Sequence, residues 1–410
     1  QRFDGAVAAD EALSRSLNIP FVRVLDDFGG EPFLKTLKRC GFTTFQQPYS
    51  HYGLSLILGG GENNLIELAG CYASMARTLN YYNNNNGTYR SGLNHPLKIN
   101  TENEITDQSK LSTSPIFEAS AIYHTFMAMT QLQRPSEESG WEHFSTSRTI
   151  AWKTGTSFGF RDGWAIGVTP EYVVAVWVGN ASGESRPGIV GGLTAGPILF
   201  ELFNILPSTT KFNIPYDDMI QVEVCSSSGH RASIHCNSRD SLWIPITSRQ
   251  NEPCPYHQTI HLTSDGRYRT TLETNNNEAI KTVSYFVLPP LMESYYKRYH
   301  PSYRTLPPFS PRSKNQKDEN SLDFIYPGLN TSVIIPIDLD GTQQKIVLRA
   351  VHRRNESTVY WHLDGEYIGT TKNQHDMEIS PTVGKHLITI IDEDGNRVSR
   401  SFNCLLNSSL

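Results

Sequence analysis

Three short runs of β-branched and aromatic residues follow one another closely, at 149–156, 163–168 and 172–179. Turn residues separate them, and runs of this kind joined by tight turns predict three successive antiparallel strands. Apolar residues then recur at helical spacing over 192–206, where a helix would pack across the sheet. We therefore expect an α+β fold here, with a small antiparallel sheet and packed helices.

The residues before these strands show helical patterns. Apolar side chains recur at three- and four-residue spacing, which predicts amphipathic helices at 33–39, 65–79 and 117–132. A shorter helix is predicted to begin near Ala9 and to stop just before Pro20, because the residue before a proline disfavours helical backbone. Ser16 and Asn18 are then expected near the C-terminal end of this short helix.

The chain is too long for one domain, since single hydrophobic cores stop growing at about 250–300 residues. After residue 208 the composition shifts to Ser, Asn, Pro and Tyr, and proline pairs and a charged tract at 311–318 predict a connecting segment. Alternating strand patterns return after residue 321, with Asp-Gly turn signals at 340, 364 and 394. We predict three parts: an α+β domain at 1–208, a Cys-containing extension and Pro-rich linker at 209–320, and an all-β immunoglobulin-like sandwich at 321–410.

Charge and hydropathy exclude some functions. The net charge of -5 leaves no basic stripe, so we expect no nucleic-acid partner. No apolar run reaches the roughly 18–20 residues that a bilayer span requires, and no export signal opens the chain. Because the sequence begins at Gln1 without an initiator Met, we expect it to be part of a larger protein.

Two short polar patterns could carry chemistry. Lys153-Thr154-Gly155-Thr156 falls on the first predicted strand, where an ammonium, hydroxyls and a backbone N–H can line one edge. Gly155 would let a substrate backbone approach closely. Ser16-Leu17-Asn18 places a hydroxyl and an amide near each other, as proton relay and carbonyl binding require. Each pattern is common by chance, so neither alone predicts a site.

The order of the motifs is informative. It is S-L-N-I-P at 16–20, G-L-S-L-I-L-G-G-G-E at 53–62 and K-T-G-T-S at 153–157. In this order they resemble the class A penicillin-binding proteins, specifically the 1C type, and the resemblance covers nearly all of residues 5–206. Two further segments, 361–365 and 384–387, look like the C-terminal β-domain of that family.

The resemblance implies that residues 1–208 are the C-terminal portion of a peptidoglycan D,D-transpeptidase domain, which acts by acyl transfer through a serine ester. A serine attacks the penultimate D-alanyl carbonyl of a peptidoglycan stem peptide, an amine resolves the acyl-enzyme, and β-lactams acylate the same serine. Ser16 would shuttle a proton, Asn18 would hold the substrate amide, and Lys153 would lend positive charge. Thr154 and Thr156 would bind the substrate carboxylate, and the Thr156 N–H would form half of an oxyanion hole. No metal or organic cofactor is expected.

One part of the family pattern is missing. The nucleophile of the family lies in an S-x-x-K helix well before S-x-N, and fifteen residues precede Ser16 here. Two S-x-x-K strings occur, at 208–211 and 294–297. Both follow the K-T-G strand, so we reject Ser208 and Ser294 as nucleophiles. The nucleophile and the family's glycosyltransferase domain are therefore expected upstream, and the present chain alone is expected to be inactive.

Other functions remain open. A D,D-carboxypeptidase or a β-lactamase-like hydrolase would use water in place of the amine, and a non-catalytic penicillin-binding or scaffolding module would retain the motifs without turnover. The expected partners are stem peptides, β-lactams and, through the C-terminal domain, other cell-wall synthesis proteins. Membrane contact is expected only through the upstream region, at the periplasmic face of the bacterial inner membrane. Tyr360, Trp361 and Tyr367 could bind glycan if exposed, although strand aromatics are more often core.

Five of the six cysteines fall into two groups. Cys40 and Cys71 lie in apolar helical patterns and are expected in the core. Three others share a polar segment, in which a disulfide is favoured in an oxidising compartment: Cys225, Cys236 and Cys254. Zinc is the alternative, disfavoured because paired C-x2-C spacing is absent. His143 and His257 are expected to be ordinary surface residues.

Overall fold

A computed structural model describes most of the chain. The described residues are 5–94, 97, 111–112, 115–135, 148–248, 252–271, 279–311, 321–329, 331–337 and 343–406. The chain divides into two units. The first, here called the α+β unit, comprises Val7–Val222 and Ser241–Gln250; the second, the C-terminal unit, comprises Gln1–Ala6, Glu223–Asp240 and Asn251–Leu410. Within the described residues, no helix is both long enough and apolar enough to cross a bilayer.

The α+β unit is rich in helices. They are α1 Ala9–Ser14, α2 Asn18–Phe28, α3 Gly30–Arg39, α4 Tyr49–Tyr52, a 3-10 helix at Gly53–Leu58, α5 Leu65–Asn84, α6 Ala119–Thr130 and α7 Gly191–Ile205. Two short strands, β1 Tyr89–Arg90 and β2 Leu111–Ser112, pair between α5 and α6. The amphipathic patterns at 33–39, 65–79, 117–132 and 192–206 thus correspond to α3, α5, α6 and α7.

A three-stranded antiparallel sheet supports the unit. Its strands, in the order β3-β4-β5, are β3 Ala151–Thr156, β4 Asp162–Val168 and β5 Val173–Gly179. Alternate residues of β3 serve opposite faces: Ala151 packs in a cluster with α5 and α6, and Trp152 packs in a cluster with α7. Helices therefore cover both faces, and the predicted antiparallel meander within an α+β fold is confirmed.

The predicted end of the first helix is wrong. The helix α1 ends at Ser14, and a new helix, α2, begins at Asn18 with Pro20 as its third residue. A proline is tolerated in the first helical turn, because no intrahelical acceptor is available there for a backbone N–H. Pro20 therefore marks the start of α2, and Asn18 lies at a helix N-terminus.

Ordered elements occupy much of the segment predicted as linker. Four strands lie there: β6 Met219–Cys225 pairs with β7 Arg239–Pro245, and β8 His257–Leu262 pairs with β9 Lys281–Phe286. The helix α8, Pro290–Tyr299, begins at one of the proline pairs that predict a linker. A proline also fits the first position of a helix, so the same residues can begin α8. Of the charged tract at 311–318, all but Pro311 lies outside the described residues.

The C-terminal residues form a β-sandwich, as predicted. Its strands are β10 Leu322–Tyr326, β11 Ser332–Ile335, β12 Ile346–His352, β13 Thr358–Leu363, β14 Glu366–Lys372, β15 His375–Ile379, β16 Gly384–Asp392 and β17 Arg397–Leu406. They form a three-stranded sheet β10-β12-β15 and a five-stranded sheet β11-β17-β16-β13-β14. Asp364 and Gly365 join β13 to β14 with positive φ at both residues, as the Asp-Gly signal predicted. The signal at 340–341 lies outside the described residues.

A buried polar network closes one end of the sandwich. The carboxylate of Asp392 accepts hydrogen bonds from Ser321 Oγ at 2.9 Å and from Asn396 Nδ2 at 2.7 Å. It also contacts His352 Nε2 at 3.1 Å, and both side chains are fully buried. Burial alone would raise the pKa of Asp392, but the hydrogen bonds from His352, Asn396 and Ser321 hold it well below its usual range. The ionised carboxylate therefore stabilises the sandwich.

Asp392→Asn should lower the stability of the sandwich in a pH-dependent way. A carboxyl group with a depressed folded pKa stabilises the fold above its unfolded pKa, about 3.9, and loses this contribution as the pH falls toward the folded pKa. We expect the variant to lose about 1.5–3 kcal/mol at pH 7 and the difference from wild type to shrink below about pH 4. Hydrogen exchange of the peptides covering β12 and β16 measures this, and a difference that does not change with pH would contradict it.

Candidate active site

Ser16 lies in an unusual backbone conformation between two helices. Its N–H donates to Leu13 O at 3.1 Å, and the N–H of Leu17 donates to Ala12 O at 2.9 Å. This pair of hydrogen bonds ends many helices. Glycine usually occupies this left-handed position, yet Ser16 has φ +54°. Such strain, of order 1–3 kcal/mol, concentrates at functional sites. The turn leaves Ser16 exposed.

Packing connects this turn to the sheet. The helix α1 contacts α6, and α6 in turn contacts β3. Ala12 of α1 is buried, and Leu13 packs against the cluster that includes Ala151 of β3. The position of Ser16 is therefore fixed relative to β3 through a continuous apolar core.

Lys153 meets Ser16 directly. Its Nζ donates a hydrogen bond to Ser16 Oγ across 137 positions of sequence, and a second to Thr154 O at 3.0 Å. Burial disfavours the charged form and lowers the pKa of Lys153 below its usual value. A lysine that releases its proton more easily than usual, bonded to a hydroxyl, is suited to proton transfer.

The strand β3 is an edge strand of the described sheet and pairs with β4 alone. Ser157 N–H donates to Asp162 O at 3.1 Å across the hairpin. Since backbone groups alternate in direction along a strand, the N–H of Thr156 points away from β4, toward the open edge. The hydroxyl of Thr156 accepts from Gly191 N–H at 3.0 Å, which leaves its own proton available to a ligand.

Close approach of the backbone near Gly155 has a structural cause. A Cβ added to Gly191, at the start of α7, would lie 2.3 Å from Gly155 O and 2.6 Å from Trp164 O. Only glycine fits there, so α7 rests directly on the K-T-G strand. The same contact brings the Gly191 N–H to Thr156.

The glycine-rich segment supports α2. Gly59 has φ +93° and ends the 3-10 helix, which contacts α2. A Cβ on Gly60 would lie 2.3 Å from Ser55 Oγ, and one on Gly61 would lie 2.4 Å from the Phe45 ring. Gly59 therefore provides a left-handed turn, and Gly60 and Gly61 leave room for the neighbouring side chains. Asn18, exposed at the first position of α2, is held by this packing two residues from Ser16.

The two S-x-x-K strings do not form comparable sites. Residues 208–211 lie in a non-helical segment after α7. Ser294 lies in α8, in the C-terminal unit, and its hydroxyl donates to Leu291 O of the same helix at 2.8 Å. Among the described residues, the hydroxyl that contacts Lys153 Nζ is that of Ser16.

The polar cysteine segment differs from expectation. All six cysteines are among the described residues, and all are free, so the expected disulfide is not formed. His257 is buried, not a surface residue, and its ring faces Cys225, Cys236 and Cys254. The signal that could have indicated this is the pair Cys254-Pro-Tyr-His257, which has the two-residue gap of half a metal knuckle. His143 lies outside the described residues.

Comparison with known proteins agrees with the motifs. A family model described as "Penicillin-Binding Protein C-terminus Family" matches residues 311–402. Penicillin-binding protein 1C of Escherichia coli K12 is 32% identical over 249 residues, which is 59% of this chain and 29% of the relative. Penicillin-binding protein 1A of Clostridium botulinum is 29% identical over 211 residues, which is 50% of this chain and 24% of the relative.

Among solved structures, penicillin-binding protein 1A from Haemophilus influenzae aligns with a TM-score of 0.44 and 17% identity, over 62% of this chain and 41% of that one. The chain spans less than a third of the curated relatives named above, at 29% and 24% of their lengths. The resemblance to class A penicillin-binding proteins is confirmed.

Proposed function

We propose that this chain forms the S-x-N and K-T-G side of a D,D-transpeptidase site that cross-links peptidoglycan. The hydrogen bond between Lys153 Nζ and Ser16 Oγ carries the proposal, because it joins the two motifs across 137 residues. The nucleophilic serine would come from an S-x-x-K helix outside this chain, and the penicillin-binding proteins that resemble the chain support this reading.

Proton transfer is the role assigned to the Ser16–Lys153 pair. When the nucleophilic serine attacks the penultimate D-alanyl carbonyl, its hydroxyl proton would pass to the lysine of the S-x-x-K helix, and the leaving amine of the terminal D-alanine requires a proton. Ser16 Oγ donates this proton and recovers one from Lys153 Nζ. In the second half-reaction an acceptor amine attacks the ester, its proton returns to Lys153 through Ser16, and the S-x-x-K lysine would return its proton to the departing serine oxygen. The lowered pKa of Lys153, caused by burial, makes this exchange easier.

The open edge of β3 would bind the substrate. An extended stem peptide can pair with an edge strand by main-chain hydrogen bonds. The Thr156 N–H would stabilise the developing oxyanion, and the hydroxyls of Thr154 and Thr156 would bind the terminal carboxylate. Gly155 adds no side chain at this edge, and Asn18 would hold the substrate amide.

Two other functions are distinguished by simple assays. A D,D-carboxypeptidase would resolve the same ester with water and would give free D-alanine and a shortened peptide without cross-links. A β-lactamase-like hydrolase would hydrolyse the ester formed with a β-lactam and would release the ring-opened acid. A non-catalytic binding module would give none of these products. The exposed turn at Ser16 and the open edge of β3 leave room for an acceptor strand, which favours the transpeptidase.

Location and domain organisation belong to the same proposal. The enzyme would act at the periplasmic face of the inner membrane, where its substrate lies, and it would also bind β-lactams. The chain would have three parts, 1–208, 209–320 and 321–410. The sandwich in the last part would contact other cell-wall synthesis proteins. Trp361 is fully buried, so among the strand aromatics Tyr360 and Tyr367, which are 39% and 60% exposed, are the ones that can contact a partner.

Fluorescent penicillin tests the assignment of the nucleophile. We expect a longer polypeptide that includes an S-x-x-K helix to be labelled covalently, and the 410-residue chain to remain unlabelled. Ser16→Ala in the short chain is the matched control. An adduct that disappears in this variant would make Ser16 the nucleophile and overturn our assignment. Failure of the longer polypeptide to react would favour the non-catalytic module.

A further inference from the structure

Four potential metal ligands converge in the C-terminal unit. Cys225 is the last residue of β6, His257 is the first residue of β8, and Cys236 and Cys254 lie in the intervening loops. All four are buried, and their ligand atoms lie within 4.8 Å of one another. His257 Nδ1 lies 3.4 Å from the sulfur of Cys225, 3.6 Å from that of Cys236 and 3.5 Å from that of Cys254.

These distances match a tetrahedral site. With Zn–S bonds of about 2.3 Å and Zn–N bonds of about 2.0–2.1 Å, the S···N edge of a tetrahedron is about 3.6 Å. We infer that Cys225, Cys236, Cys254 and His257 bind one Zn²⁺ ion in a closed Cys₃His site. Three sulfurs around one ring nitrogen at this spacing form the corners of such a tetrahedron.

Hydrogen bonds around the sulfurs support thiolate ligands. The hydroxyl of Ser228 donates to Cys254 Sγ at 3.2 Å, and the N–H of Ser233 donates to Cys236 Sγ at 3.3 Å. Backbone N–H groups of Ser227 and Ser228 also point to Cys225. Donors of this kind stabilise the negative charge that thiolates carry and orient them toward the metal.

Backbone hydrogen bonds join the ligand loops to one another. Cys225 N–H donates to His230 O at 2.7 Å, and Cys254 N–H donates to Arg231 O at 2.8 Å. Arg231 also forms a parallel bridge with Pro253. The first loop is therefore joined to both its own strand and the second cysteine loop.

The site is structural in character. Four protein ligands fill the coordination shell, whereas catalytic zinc keeps one position for water or substrate. The local apolar cluster consists of the three cysteines with Ala232 and Tyr256 packed against it, which is too small to hold these loops by burial alone. Metal binding would supply that stability. A disulfide would use two of the three thiols and leave the third with the imidazole.

Metal analysis of the purified chain is the first test. The protein is purified in reducing buffer without added metal, and bound metals are quantified by mass spectrometry, with about one zinc per chain expected. Replacement by Co²⁺ should give the visible ligand-field bands and the near-ultraviolet thiolate charge-transfer bands of a tetrahedral site. A metal-free folded protein, bound iron in place of zinc, or a disulfide among the three cysteines would overturn the inference.

Variants identify the ligands. Cys236→Ser should lose the bound zinc, whereas Cys71→Ala, which changes a cysteine outside the cluster, should retain it. Ser228→Ala keeps all four ligands and should weaken zinc binding about 10–100-fold in competition with a chelator. If Cys236→Ser fails to fold, the metal content of the wild type and the affinity of Ser228→Ala still decide the question. Unchanged zinc content in soluble Cys236→Ser would contradict the assignment.

Discussion

Lys153→Met should slow acylation by penicillin about 10²–10⁴-fold, the usual contribution of general acid–base catalysis. The experiment uses the protein in which an S-x-x-K helix precedes this chain. Methionine fills a similar volume but has no proton to exchange with Ser16, so the relay is interrupted while the strand keeps its packing. The rate of covalent labelling at limiting fluorescent penicillin measures the effect.

Three controls separate proton transfer from loss of fold. Lys211→Met makes the same change at an exposed lysine of a rejected S-x-x-K string and should leave the rate unchanged. Ser16→Ala should be about as slow as Lys153→Met, and the double variant little slower, because residues that act as one unit are not additive. The basic limb of the pH–rate profile should lie below that of an ordinary lysine, since burial lowers the pKa of Lys153. A normal rate in Lys153→Met would refute the proposed relay.

Trp361→Ala should destabilise the β-sandwich by about 3–5 kcal/mol, as truncation of large buried aromatics does. Trp361 is fully buried, packs edge-to-face against Phe324 at 6.0 Å, and donates from Nε1 to Thr371 Oγ1 at 2.8 Å. The substitution leaves a large cavity between the sheets. It also removes the hydrogen-bond donor to the hydroxyl of Thr371. Trp361 belongs to the cluster of buried residues that forms the sandwich core.

Tyr360→Ala is the matched control for this prediction. Tyr360 precedes Trp361 on β13 but faces outward and is 39% exposed, so its truncation should change stability by about 0.5 kcal/mol or less. Hydrogen exchange of the β13 and β16 peptides reports the local free energy of opening in both variants. Equal protection in Trp361→Ala and wild type would contradict the assignment of Trp361 to the core.

Local chemistry explains what could be predicted of the fold. The runs at 149–179 form the meander because β-branched alternation and tight turns act over a few residues. Asp364-Gly365 forms its hairpin because these residues accept positive φ. Pro20 and Pro290 each lie in the first turn of a helix, although the sequence predicts a helix end at the first and a linker at the second. The same residue can end one helix or begin the next, and packing decides between the two.

Long-range contacts explain which features could not be predicted from the sequence. The order of motifs placed Ser16 and Lys153 in one site by resemblance, but the left-handed turn at Ser16, the burial that lowers the pKa of Lys153 and the Gly191 contact on β3 arise from packing. The sequence favoured a disulfide over zinc for the three polar cysteines for the same reason. Their spacing lacks paired knuckles, and only folding brings His257 to three sulfurs.

By itself, the amino-acid sequence predicted the antiparallel meander, the helices at 33–39, 65–79, 117–132 and 192–206 and the sandwich, because periodicity and residue type act locally. The residues proposed for acyl transfer were indicated by the resemblance of the motifs. The tertiary structure alone decided which side chains meet: a hydroxyl with an ammonium 137 residues away, and three thiols with one imidazole. Such meetings depend on how distant elements pack, and packing free energy is shared over the whole core and not encoded at any one position.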